Sequence, residues 1–130
     1  MATIKQFQEI GAWQRSREIS RAIYRCSAVG KFARDFALRD QIRRAAVSIM
    51  SNIAEGFERD GSAEFAQFLA VAKGSAAELE SQLYVALDQQ YISQKEFDEI
   101  RDLGTSTKKL IAGFMKYLRR SAPRGVKFKR

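Results

Sequence analysis

Arg44, Glu55 and Glu78 are the residues whose types could support acid–base work, since paired carboxylates can divide the roles of acid and base between them. All three fall in helical stretches beside Ser48 and Asn52, where an ion pair or hydrogen-bond network at an interface is the simpler use for them. The chain has no histidine and a single cysteine, Cys26. That composition excludes Ser–His and Cys–His nucleophile pairs, His-ligated metal sites, a zinc knuckle and an internal disulfide. Glu64, Glu78 and Glu80 lack the Glu-x-x-His pattern of carboxylate-bridged helical bundles. The reading is therefore of a non-enzymatic chain with no catalytic residues, no metal and no cofactor. Cys26 falls on an apolar helix face and is read as a small packed hydrophobe.

Basic residues are the more informative chemistry. The net charge is +8, and it is unevenly spread. Residues 15–44 carry nine basic and three acidic side chains, residues 45–118 seven and eleven, and residues 119–130 six and none. A nearly neutral body with two basic regions points to a polyanionic partner, RNA or DNA. Arg17, Arg21 and Arg25 stand at i, i+4 and i+8 and line one helix edge that could follow a phosphate backbone; Arg43 belongs to the same basic region. The C-terminal segment adds Arg119, Arg120, Arg124, Lys127, Lys129 and Arg130. Trp13, Tyr24, Tyr84, Tyr91 and Tyr117 could stack on bases, but no pair of them marks a binding platform, and packing in a core or interface is the reading adopted for them.

These residues sit on four predicted helices. The only proline is Pro123, so helix breakers are nearly absent before it. The first helix is predicted over about Phe7 to Cys26, with Ala12, Ile19, Ala22, Ile23 and Cys26 on one face, Gly30 as terminator and a loop through Lys31 to Arg34. The second runs from about Asp35, a candidate N-cap, to Phe57, with the stripe Leu38, Ile42, Ala45, Ala46, Ile49, Ile53, Phe57. Arg59-Asp60-Gly61 reads as a turn. The third runs from near Ser62 to about Gln90 on Phe65, Phe68, Leu69, Ala72, Ala76, Leu79, Leu83, Ala86 and Leu87. The fourth starts at the capping box Ser93-Gln94-Lys95-Glu96 and ends before Pro123, on Ile100, Leu103, Thr107, Leu110, Ile111, Phe114 and Leu118. Short links force antiparallel neighbours, so the fold class is all-α, an antiparallel up-down four-helix bundle over residues 1–118 followed by a basic tail, 119–130. No apolar run is long enough to span a bilayer and the N-terminus lacks a signal-peptide layout, so a cytoplasmic location without membrane contact is expected.

Two of the helices carry a second face that does not look like solvent-facing surface. On the third, Ala66, Ala70, Gly74, Ala77 and Ser81 lie opposite the core stripe, and a mid-helix glycine costs about 1 kcal/mol against alanine. On the second, Val47, Met50 and Ala54 point away from the core beside the polar strip Arg44, Ser48, Ser51, Asn52 and Glu55. This predicts a subunit interface built from Arg44, Val47, Ser48, Asn52, Glu55, Ala66, Ala70, Gly74, Ala77 and Glu78.

The run Gln41-Ile42-Arg43-Arg44-Ala45-Ala46-Val47-Ser48-Ile49, continued by Ser51-Asn52-Ile53-Ala54-Glu55-Gly56-Phe57, resembles the bacterial 23S rRNA intervening-sequence protein family. The likeness extends through Glu64-Phe65, Phe68-Leu69, Ala72, Gly74-Ser75, Glu78-Leu79-Glu80 and Tyr91-Ile92, with Trp13-Gln14 similar to the family's first-helix motif. Two departures stand out: Met50 replaces a usual proline, and Val29-Gly30-Lys31 replaces a Phe-Pro pair. The resemblance implies an up-down bundle that assembles into a ring, typically a pentamer. The family name says where the genes sit rather than what the proteins do. Two functions are therefore expected as alternatives: a homo-oligomeric bundle that binds nucleic acid through phosphate contacts, or an assembly module that docks a partner protein.

Overall fold

The computed structural model describes residues 3–121 and contains five helices in chain order: α1 (Gly11–Cys26), α2 (Gly30–Arg34), α3 (Phe36–Glu58), α4 (Ser62–Asp88) and α5 (Gln94–Ser121). The four long ones alternate in direction, and each packs on two neighbours, α1 on α3 and α5, and α4 on α3 and α5. The result is an up-down bundle closed around one core. No described helix is long and apolar enough to cross a membrane.

The helix ends have local causes. Asp35 caps α3 by accepting from Leu38 N–H at 3.1 Å, and its other oxygen accepts the Tyr91 hydroxyl at 2.9 Å. The Ser93 box is reciprocal: Glu96 N–H donates to Ser93 Oγ at 3.1 Å and Ser93 N–H to Glu96 Oε1 at 2.8 Å. Gly61, at φ +95°, turns the chain into α4. α4 ends in a Schellman arrangement around Gln90, whose φ is +61°. There Tyr91 N–H reaches Ala86 O and Gln90 N–H reaches Leu87 O, both at 2.9 Å.

Most of the predicted stripes face the core. Every stripe residue of α3 is buried, as are Phe65, Leu69, Ala72, Ala76, Leu79, Leu83 and Ala86 of α4. α3 runs unbroken through Met50, whose Sδ accepts the Ser20 hydroxyl at 3.3 Å. Three expectations need correction. The chain before Gly11 is not part of the first helix: Phe7–Glu9 forms a single 3₁₀ turn and Ile10 is extended, which drives Ile4 and Ile10 into the core at 1% exposure each. The stretch Lys31–Arg34 is not a loop but most of α2, which starts at Gly30 (φ +62°) and buries Phe32 completely. Leu110 is 42% exposed rather than part of the α5 core face, and Phe97 takes an unanticipated place inside.

Candidate nucleic-acid and assembly surfaces

Arg17, Arg21 and Arg25 do share the exposed edge of α1. Their surroundings differ. The Arg17 guanidinium lies 5.9 Å from the centre of the Trp13 ring. Arg21 and Arg25 line a groove of about 920 Å³ between α1 and α5, where Glu96, Glu99 and Asp102 also stand, with Glu18 on the α1 side. Arg15 is already paired with Glu18 at 3.0 Å. The edge is therefore basic along α1 but faces acids on α5, and a polyanion lying in this groove would meet both signs. Cys26 also lines the groove, and its thiol is pushed up to about 11, by burial first and the Glu96 charge second, against the opposing pull of Arg25 and Arg43. It stays protonated at neutral pH and makes a contact of 3.6 Å to Ile23 O.

A more uniformly basic region lies where α1 ends, α2 turns and α3 begins. Arg43 donates from Nε to Ser27 Oγ at 2.8 Å and lies 4.5 Å from the centre of the Tyr24 ring. Arg39 donates from Nη1 to Ala33 O at 3.1 Å, pairs with Asp40 at 3.0 Å, and lies 4.8 Å from the centre of the Phe36 ring. Lys31 and Arg34 of α2 are exposed. Tyr24 is 45% exposed and so not part of the core, and Phe36, 63% exposed, joins it at this corner. Arg39, Arg43 and Tyr24 were visible as types; what could not be read was that a short α2 brings the end of α1 against the start of α3. At the opposite end of the bundle, Arg119 and Arg120 are exposed on the last turn of α5, where cations complement the helix dipole. Arg124, Lys127, Lys129 and Arg130 lie outside the described residues.

The residues expected at a subunit interface divide into two groups. Ser48 and Asn52 are half-buried and engaged within the protomer: Ser48 Oγ and Ser75 Oγ share a hydrogen bond of 2.9 Å between α3 and α4. Asn52 Nδ2 donates to Ser48 O at 2.8 Å and to Ser48 Oγ at 3.0 Å. This network accounts for an asparagine in mid-helix without any second subunit. Glu55 pairs with Arg59 at 2.9 Å. Arg44 and Glu78 line a small cleft of about 200 Å³ with Gln41, Ala45 and Ser48. Close by in sequence, Gln82 reaches Glu78 only at 3.5 Å, and its Oε1 is buried without a partner. The second group faces outward. Val47 is 39% exposed, Ala70, Gly74 and Ala77 are exposed and Ala66 is half-buried; Val71, not among the expected residues, lies beside them 54% exposed. A Cβ added at Gly74 would meet nothing within 4 Å, so nothing inside the protomer requires a glycine there.

Among the described residues there is no group of three or more His, Cys, Asp or Glu side chains placed to hold a metal ion.

Fold and surface together define an up-down four-helix bundle with an intramolecular polar seam between α3 and α4, a small-residue outer face on α4 and a basic, aromatic corner. The family model for the 23S rRNA-intervening sequence protein matches residues 8–113, and the chain belongs to that family. A solved crystal structure of a protein of unknown function from the S23 ribosomal protein family of Bacteroides thetaiotaomicron is 26% identical. The match covers 81% of this chain and 98% of that one, with a TM-score of 0.73. No curated protein matches the chain.

Proposed function

We propose that this chain is a non-enzymatic bundle that assembles with copies of itself through the outer face of α3 and α4 and binds nucleic acid through its basic surface. The observation that carries the assembly is Gly74: it sits in mid-helix at a cost of about 1 kcal/mol, with open space around it in the protomer, between exposed Ala70, Val71 and Ala77. A helix face meant for water is better served by Lys and Glu, and small residues let a second backbone approach. A pentamer is the number that the family resemblance suggests. The uneven charge supports the polyanion partner, with the α1–α2–α3 corner, Arg119 and Arg120 as its described contacts.

Light scattering tests the assembly. The wild-type chain is expected to be oligomeric at micromolar concentration, and Ala70→Glu to shift it toward the monomer; a wild-type monomer would sink the proposal. Nucleic-acid binding is tested by salt. If the six basic residues after Leu118 all meet phosphates on a duplex, affinity falls roughly a thousandfold between about 50 and 200 mM salt. Truncation after Ser121, which leaves α5 whole, then reduces the slope. The α1–α5 groove favours the second reading, docking of a protein segment, because its mixed charges suit a peptide better than a phosphate chain. Binding that ignores salt would favour that reading.

A further inference from the structure

Tyr24 and Phe36 are large aromatic residues left 45% and 63% exposed, and each carries an arginine against its ring. Surface Arg–aromatic pairs are common, but these are anchored. Arg43 is tied to Ser27 Oγ, which itself donates to Ile23 O at 2.6 Å, and Arg39 is tied to the Ala33 carbonyl. The guanidinium groups are thus positioned by bonds to the C-cap of α1 and to α2. Phe36, Arg39 and Arg43 follow one another at i, i+3 and i+7, on one side of α3, over about 10 Å of helix rise. Tyr24 extends the row onto α1.

Cations outnumber acids around the row, the nearest carboxylates of α5, Glu96 and Glu99, standing in the groove on the far side of Cys26. Lys31 and Arg34 are exposed and have no ion-pair partner among the described residues. Of the nearby acids, Asp35 is occupied by Leu38 N–H and the Tyr91 hydroxyl, and Asp40 by Arg39. Exposed rings stacked with guanidinium groups and flanked by unpaired cations are what unstacked bases on a phosphate chain require. A duplex cannot use the rings, because its base faces are already covered.

We infer that the corner formed by Tyr24, Phe36, Arg39 and Arg43 binds single-stranded nucleic acid, bases stacking on the two rings while Lys31 and Arg34 take phosphates. The inference rests on the reading of the chain as a polyanion binder and adds a site and a strandedness to it.

Fluorescence anisotropy of the full chain with a short labelled oligothymidylate tests it, with heparin as a base-free polyanion. Tyr24→Leu and Phe36→Leu keep apolar bulk and remove the ring faces. Each is expected to weaken oligothymidylate binding roughly 5- to 100-fold while leaving heparin binding unchanged. Equal losses for both ligands, or no loss for either, would overturn the site. A wild-type chain that binds heparin but no single strand overturns the site and leaves the polyanion reading standing; binding to neither removes both. Light scattering of the same variants must show unaltered assembly, since a changed oligomer would assign the corner to a contact between copies instead.

Discussion

Gly56 of α3 lies close against Phe65 and Phe68 of α4. A Cβ there would stand 2.6 Å from Phe68 Cβ and 2.9 Å from Phe65 Cδ1. Phe65 is fully buried and the Phe68 atom is attached to its own backbone, so neither can move aside cheaply. Gly56→Ala is expected to destabilise the protein by about 1–3 kcal/mol in urea unfolding, although alanine is the better helix former. A neutral result would mean that the two helices can part. Cys26 makes a prediction about pH. Its folded thiol, near 11, lies above the ordinary 9.0, so the folded state holds the proton more tightly. The resulting stability is fully present below pH 9 and is lost as pH rises through the folded value. Unfolding at about pH 8 and about pH 10.5, on either side of the ordinary value, should show wild type losing more stability than Cys26→Ala, by up to ~2 kcal/mol. Equal losses would show that the site is wetter than its packing suggests. Neither property was legible in the sequence: Gly56 was only one letter of a motif, and its need arises from a partner helix.

At the scale of elements, what could be read was what chain-local chemistry decides. Asp35 before an apolar period and Ser93 three residues before Glu96 mark helix starts because the capping bonds close within one turn. The α3 stripe was complete because 23 residues give the period room to declare itself. α2 has five residues, too few for a period, and it is held by Phe32, stacked 5.3 Å from Tyr91 in the turn after α4. A tertiary contact decides that element, as it does the extended Ile10. The turn into α5 leaves a correctable defect. Gln90 occupies the left-handed C′ position that glycine takes at lower cost. Gln90→Gly is expected to raise stability by about 0.5–1 kcal/mol, the gain being reduced by the glycine's freedom in the unfolded chain. A lower unfolding midpoint would mean that the Gln90 side chain contributes something its backbone strain conceals.

For the whole molecule, the decisive question is what faces the exposed side of α4. The residues expected at an interface do not all need a second subunit to satisfy them. Ser48 and Asn52 looked like contact residues because mid-helix polar groups want partners, and their partners lie in the same protomer, Ser75 among them. What remains is Ala70, Val71, Gly74 and Ala77, and Gly74 separates two explanations by the sign of one substitution. If α4 faces only water, Gly74→Ala replaces a poor helix former by the best one, with no neighbour within 4 Å to object. Stability then rises by about 1 kcal/mol at every protein concentration. If a second backbone packs there, the gain appears only in the monomer, and the added methyl spreads the subunits. Unfolding at high dilution should then show a stabilised protomer, while sedimentation at micromolar concentration shows weaker assembly, and Gly74→Leu enlarges the second effect. A Gly74→Ala variant that is more stable and equally oligomeric would remove α4 from the interface and move the search for the contact to the α1–α5 groove, where Arg21 and Arg25 and three carboxylates of α5 could pair between copies.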